Sequence, residues 1–146
     1  MTDNNEYPFY TITLIPYQEQ HCQILFDIRN ELSVRNGMLN KQPLNWESHV
    51  AWTKKNIIEE RNVHVFLVKN KDNVAGFSLL KKLPENTFEL GVILKEEFTR
   101  TRVAFLAAIA TGKYSFEQLG GEALFSNVPK SNPTALDFNQ RMGLVL

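Results

Sequence analysis

A chain of 146 residues suits one domain, and 43% hydrophobic residues are enough to bury a core. Sixteen Lys and Arg balance sixteen Asp and Glu, so no basic face of the kind that binds nucleic acid is present, and the apolar runs are too short and interrupted to span a bilayer. The polar start Met1-Thr2-Asp3-Asn4-Asn5-Glu6 lacks an apolar signal core, which points to the cytoplasm; the single cysteine, Cys22, leaves no internal disulfide and no Cys-based zinc cluster, so no metal is expected.

Residues 10–15 alternate and are rich in β-formers, which predicts a strand. Over residues 18–36 the period becomes helical, with Ile24, Leu25, Ile28 and Leu32 on one stripe. A loop over 37–43 follows. Asn45 is placed to cap a helix over 46–60, with Glu47 in its first turn. The period then drops to two. Strands are predicted over 64–68 and 74–81 around a turn at 69–73, and a third over 87–94 after Pro84-Glu85-Asn86.

A long helix is predicted over 101–118. Val103, Leu106, Ala107, Ala110 and Tyr114 recur at helical spacing, and Gly120-Gly121 ends it. A strand over 123–128 comes next. Asn132-Pro133 then supplies a cap and a first-turn proline for a last helix that stops at Gly143. The order is β-α-α-β-β-β-α-β-α: an α/β chain with a mixed, mostly antiparallel sheet of about six strands flanked by helices, in which one parallel strand returns through the long helix.

The run Phe88-Glu89-Leu90-Gly91-Val92-Ile93-Leu94-Lys95-Glu96-Glu97-Phe98 resembles the fourth strand of the GNAT superfamily of N-acetyltransferases, which reads Glu-hydrophobic-Gly before a loop and a long helix. Asn132-Pro133-Thr134-Ala135 and Arg141-Met142-Gly143-Leu144 resemble the helix that closes that fold. Arg29-Asn30, Val34-Arg35, Met38, Trp46-Glu47-Ser48-His49 and Trp52 are similar to acetyltransferases that modify nucleotide-linked amino sugars, such as the pseudaminic-acid pathway enzymes. Ribosomal-protein acetyltransferases share parts of this pattern. The resemblance implies acetyl-CoA as co-substrate and a small-molecule primary amine as acceptor. It offers protein N-terminal acetylation, or a degenerate binding domain without catalysis, as alternatives.

Within that resemblance the pantetheine arm pairs with exposed strand backbone at Val92, Ile93 and Leu94. The pyrophosphate meets the segment Thr99, Arg100, Thr101, Arg102, Val103 and Ala104, because a helix N-terminus presents unpaired N–H groups and partial positive charge. The family loop Arg/Gln-x-x-Gly-x-Gly/Ala survives only at Ala104; Arg100 and Arg102 stand where glycines are common. Two readings stand: the arginines hold phosphate by side chains, or they are a solvated polar loop. Asn127 and Asn132 are implied cofactor contacts, and Arg29, Arg35 and Met38 would face the acceptor.

Acetylation of an amine needs a neutral nitrogen, so a base must take its proton. Glu89 is the first candidate, aimed by its strand at the cleft, with an ordinary sheet-face charge as the plain reading. His49, one helical turn from Trp46 and from Trp52, is the second; its plain reading is a helix-surface histidine between packing aromatics. The tyrosine acid that the family often carries in its last helix is missing, with Asn139 at that place and Phe138 beside it. The family's seventh strand would be short or absent in a chain ending at Leu146, and the sheet edge so exposed hints at a homodimer.

Overall fold

The computed structural model describes residues 6–31, 43–99 and 101–125. Six strands form one sheet in chain order: β1 Tyr7–Phe9, β2 Ile12–Pro16, β3 Val63–Asn70, β4 Asn73–Leu83, β5 Thr87–Leu94 and β6 Ala123–Phe125. Successive neighbours are antiparallel except β5 and β6, which run parallel. Three helices accompany them: α1 Cys22–Arg29, α2 Trp46–Thr53 and α3 Arg102–Glu117. The mixed, mostly antiparallel sheet with a helical crossover agrees with the order expected from the sequence. The remainder of the strand expected to 128, the last helix and the seventh strand lie outside the described residues.

Strand alternation divides the core between two faces. Ile12, Leu14, Phe66, Val68, Leu80, Phe88, Leu90 and Leu94 meet Leu106, Ala107 and Ala110 of α3. Val63, Val65, Leu67 and Phe77 point the other way, onto Leu25 and Ile28 of α1. The buried side of α3 also carries Ala108, Thr111, Gly112 and Ser115. Such small residues let the helix lie close on the sheet, and Thr111 Oγ1 lies 2.7 Å from Ser78 Oγ of β4, both fully buried. Tyr114 packs edge-on against Tyr7 and Phe66, as a core residue.

Three local features differ from expectation. Strand β1 precedes the first predicted strand. Pro8 breaks its β signature, and a proline that cannot donate to a ladder is tolerated here because β1 is an edge. Helix α1 starts at Cys22, after a 3₁₀ turn over Glu19–His21, because the Gln18 N–H is taken by His21 Nδ1 at 3.0 Å. The helix expected over 46–60 changes pitch: after Thr53 the chain continues as a wider π turn over Lys54–Glu59, closed by Glu60 N–H to the Lys55 carbonyl at 2.9 Å.

The expected turns appear where the sequence puts them. Lys71-Asp72 joins β3 to β4, with Lys71 at φ 55°. Between β4 and β5, Glu85 and Asn86 both take positive φ. Asn45 caps α2 as predicted, its Oδ1 accepting from Ser48 N–H at 3.0 Å. The ladder between β3 and β4 shifts register after Val68, which leaves Ala75 as a bulged residue beside Gly76.

Candidate active site

Strand β5 positions the centre of the site. Phe88, Leu90 and Leu94 enter the α3 core, so Glu89, Gly91 and Ile93 project to the opposite face, which α1 covers. Glu89 is half-buried, directly across from Lys81 of β4 and paired in register with Phe125 of β6. Among the described residues no hydrogen-bond or salt-bridge partner takes up its carboxylate.

Among the described residues, pairing between β5 and β6 runs from Thr87, Phe88 and Glu89 to Ala123, Leu124 and Phe125. From Leu90 to Leu94, β5 is paired among the described residues with β4 alone. On its other edge the backbone of Val92, Ile93 and Leu94 has no strand partner among the described residues. Between β4 and β5 the approach is unusually close at Gly76: a Cβ there would collide with the Ile93 carbonyl and lie 2.7 Å from Leu94 Cα.

The N-terminus of α3 is occupied by its own cap. Thr101 Oγ1 accepts from Val103 N–H at 3.2 Å and donates to the Phe98 carbonyl, while Ala104 N–H bonds the Thr101 carbonyl at 3.2 Å. The picture of unpaired first-turn N–H groups is corrected here: those of Val103 and Ala104 are engaged. Thr99 is exposed and its hydroxyl donates to the Glu96 carbonyl. The exposed Arg102 lines a shallow groove with Phe9, Tyr10, Phe105, Leu106 and Ile109. Arg100, Asn127 and Asn132 lie outside the described residues.

His49 is buried, at 3% exposure, so the helix-surface reading is corrected. Its Nε2 donates to the Cys22 carbonyl at 3.1 Å and its Nδ1 accepts from Arg29 Nη1 at 3.4 Å. These partners assign the neutral Nε2–H tautomer. Phe26 and Trp46 lie 5.3 and 6.0 Å from the imidazole, centroid to centroid. Burial holds its pKa below the usual histidine range; the Arg29 charge adds to this and the Cys22 carbonyl opposes it. With both ring nitrogens engaged, His49 joins α2 to α1 and has no lone pair left for a substrate proton.

Arg29 closes α1. Its guanidinium stacks 5.5 Å from the Trp52 ring, and burial lowers its pKa. Among the described residues no carboxylate pairs with it. The structure thus brings Arg29, His49 and Trp52 together, while Arg35 and Met38 lie outside the described residues. The Arg29–His49 contact joins residues with no periodic relationship in sequence; His49 had been matched only with its own helix neighbours, and nothing in the spacing pointed to Arg29 or to the Cys22 carbonyl.

The described residues contain no group of three or more His, Cys, Asp and Glu able to hold a metal, and no helix among them is long and apolar enough to cross a membrane. The fold is shared with solved acetyltransferases. A probable acetyltransferase of the GNAT family from Chromobacterium violaceum is 19% identical with a TM-score of 0.79, covering 97% of this chain and 74% of that one. The spermidine N-acetyltransferase of Vibrio cholerae, solved with CoA and spermine, is 17% identical with a TM-score of 0.80, over 92% of this chain and 81% of that one. RimL, a ribosomal L7/L12 α-N-protein acetyltransferase solved with CoA, is 14% identical with a TM-score of 0.78, over 94% and 82%. No curated protein gives a significant sequence match. The family model for the acetyltransferase (GNAT) domain matches residues 11–145, and the chain belongs to that family of acetyltransferases.

Proposed function

We propose that the protein is an acetyl-CoA-dependent N-acetyltransferase acting on a primary amine, with an amino sugar carried on a nucleotide as its first acceptor class. The observation that carries the proposal is the half-buried Glu89 carboxylate on β5, beside the parallel ladder to β6 and with no partner among the described residues. Bound acetyl-CoA would supply the thioester whose C–S bond breaks as the new C–N bond forms, CoA leaving as a thiolate that takes up the second proton shed by the nitrogen. Glu89 accepts the proton of the incoming ammonium, directly or through a water, so that nitrogen attacks with its lone pair. The edge of β5 at Val92, Ile93 and Leu94, without a strand partner among the described residues, fits an amide-bearing pantetheine arm. With the Val103 and Ala104 N–H groups engaged by the Thr101 cap, phosphate binding falls largely to side chains, Arg102 first. Thr99 and Thr101 shape the turn. The roles given to Arg35, Met38, Arg100, Asn127 and Asn132 rest on sequence alone. A homodimer is likewise our proposal; the Vibrio cholerae spermidine enzyme is described as dodecameric.

Arg29 bears on the acceptor. A partly buried cation with no acidic partner among the described residues favours an acceptor with negative charge near its amine and opposes a polycation such as the spermine bound by the Vibrio cholerae enzyme. A protein N-terminus, the acceptor of RimL, is the second reading. Calorimetry with acetyl-CoA, followed by thiol-release assays with a nucleotide-linked amino sugar, an N-terminal peptide and spermidine, tests this. The expected result is cofactor binding and turnover with the sugar. No binding at millimolar acetyl-CoA, or a preference for spermidine, would overturn it.

A further inference from the structure

The three residues at the end of α1 each hold a different element. Arg29 reaches His49 and Trp52 of α2. Asn30 Oδ1 accepts from Leu44 N–H at 2.7 Å, just before α2. Glu31 Oε1 accepts from Glu96 N–H at 3.3 Å, across 65 residues of sequence, in the turn that follows β5.

From Glu96 the hydrogen bonds continue. The Thr99 hydroxyl and N–H both donate to the Glu96 carbonyl. The Thr101 hydroxyl donates to the Phe98 carbonyl and accepts from Val103 N–H. Lys95 N–H anchors the start of the turn on the Ala75 carbonyl of the β4 bulge. A single line of contacts thereby runs from α2, through the end of α1, to the first turn of α3.

We infer that Glu31 is a positioning residue that links the turn over Glu96–Phe98, which leads into the proposed phosphate-binding start of α3, to the α1–α2 pair, so that seating acetyl-CoA is felt at α2. The inference rests on the acetyl-CoA reading above. The Glu31 carboxylate bonds a backbone N–H rather than a charged side chain, so the link needs an acceptor oxygen and not a negative charge. Glutamine keeps that oxygen and alanine removes it. Because the contact is exposed, its loss weakens cofactor binding modestly, by roughly threefold to tenfold, the scale of one hydrogen bond.

Both tryptophans of the chain, Trp46 and Trp52, lie on α2, so intrinsic tryptophan fluorescence reports on that helix. Calorimetry and fluorescence are measured together on the wild type, E31A and E31Q during titration with acetyl-CoA. Wild type and E31Q bind with a change in tryptophan emission. E31A binds with its Kd raised as stated and its emission change reduced several-fold, while its Tm stays within about 2 °C, since an exposed hydrogen bond adds little to global stability. Wild-type binding without an emission change, an E31A response equal to wild type, or an E31Q variant as impaired as E31A would each overturn the link. Absence of calorimetric binding in the wild type would instead sink the acetyl-CoA reading beneath it.

Discussion

The Arg29 guanidinium lies 3.4 Å from His49 Nδ1, a cation donating to a neutral imidazole. The arrangement holds only while the ring is unprotonated. An imidazolium has no acceptor at Nδ1 and would set two positive charges side by side. The contact between α1 and α2 is therefore built on a group that acid converts into a repulsive one.

The pH dependence of stability follows. His21, His49 and His64 are the three histidines of the chain, and burial lowers the pKa of each, with Lys82 and Arg61 adding to the effect at His64. A folded-state pKa below the unfolded one means that the unfolded chain binds protons first. Stability is then complete above about pH 6.5, the unfolded value, and falls as pH drops below it toward the folded values. Melting curves from pH 8 to pH 5 should show that decline. In H49N the slope should be shallower, since the remaining histidine contribution belongs to His21 and His64. An H49N slope equal to wild type would mean that His49 does not titrate through folding.

Glu89→Gln removes the proposed base without changing its shape. Turnover should fall by about 10² to 10⁴-fold, the usual range for a positioned general base, while the KM for acetyl-CoA changes little. Stability should hold, because no described partner is lost with the charge. Full turnover in this variant, measured with saturating acceptor, would remove Glu89 from the proton path.

Arg102→Glu tests which group meets the phosphates. A charge reversal at an exposed arginine should raise the Kd for acetyl-CoA by roughly tenfold at low salt and less at high salt, since exposed charges are screened. Arg102 also lines the groove beside Phe9 and Tyr10. An affinity unchanged at both salt concentrations would assign the side chain to that groove and return the pyrophosphate to backbone donors, at the expense of the Thr101 cap.

How far the chain could be read from its sequence depends on how local the cause was. β5 was legible to the residue because Thr87 to Leu94 alternates between two buried faces and is bounded by Pro84 and Lys95. α3 was legible from Leu106, Ala107 and Ala110 and from its Thr101 and Gly120 ends. β1 was not, since three residues with a central proline carry no period and gain their order from β2. The self-capped start of α3 was half visible: Thr101 is a good cap residue, yet the resemblance drew attention to missing glycines instead. The environment of His49 was hidden. Its partners come from α1, 20 and 27 residues away, and helical spacing relates a residue only to its own turn. Glu31 was overlooked for the same reason, its partner lying beyond a helix and three strands.

Gly76 offers a test of the sheet beneath the site. It faces the Ile93 carbonyl so closely that any Cβ would overlap it, and Leu94 Cα is 2.7 Å away. These are backbone atoms, which cannot swing aside as a side chain can. Gly76→Ala should force β4 and β5 apart at the stretch of β5 proposed to meet the pantetheine arm, costing about 2 to 4 kcal/mol of stability as overpacking against fixed atoms. Acetyl-CoA affinity should fall with it. Gly91→Ala is the matched comparison. There the nearest atom is Leu79 Cδ1 at 3.2 Å, the far end of a side chain that can shift by a few tenths of an ångström, so the loss should be below about 1.5 kcal/mol. Chemical denaturation of the two variants distinguishes them. If Gly76→Ala is no more damaging than Gly91→Ala, the close approach of β4 and β5 at Ile93 is not a fixed feature of the fold, and the shape of the cofactor edge must be set elsewhere.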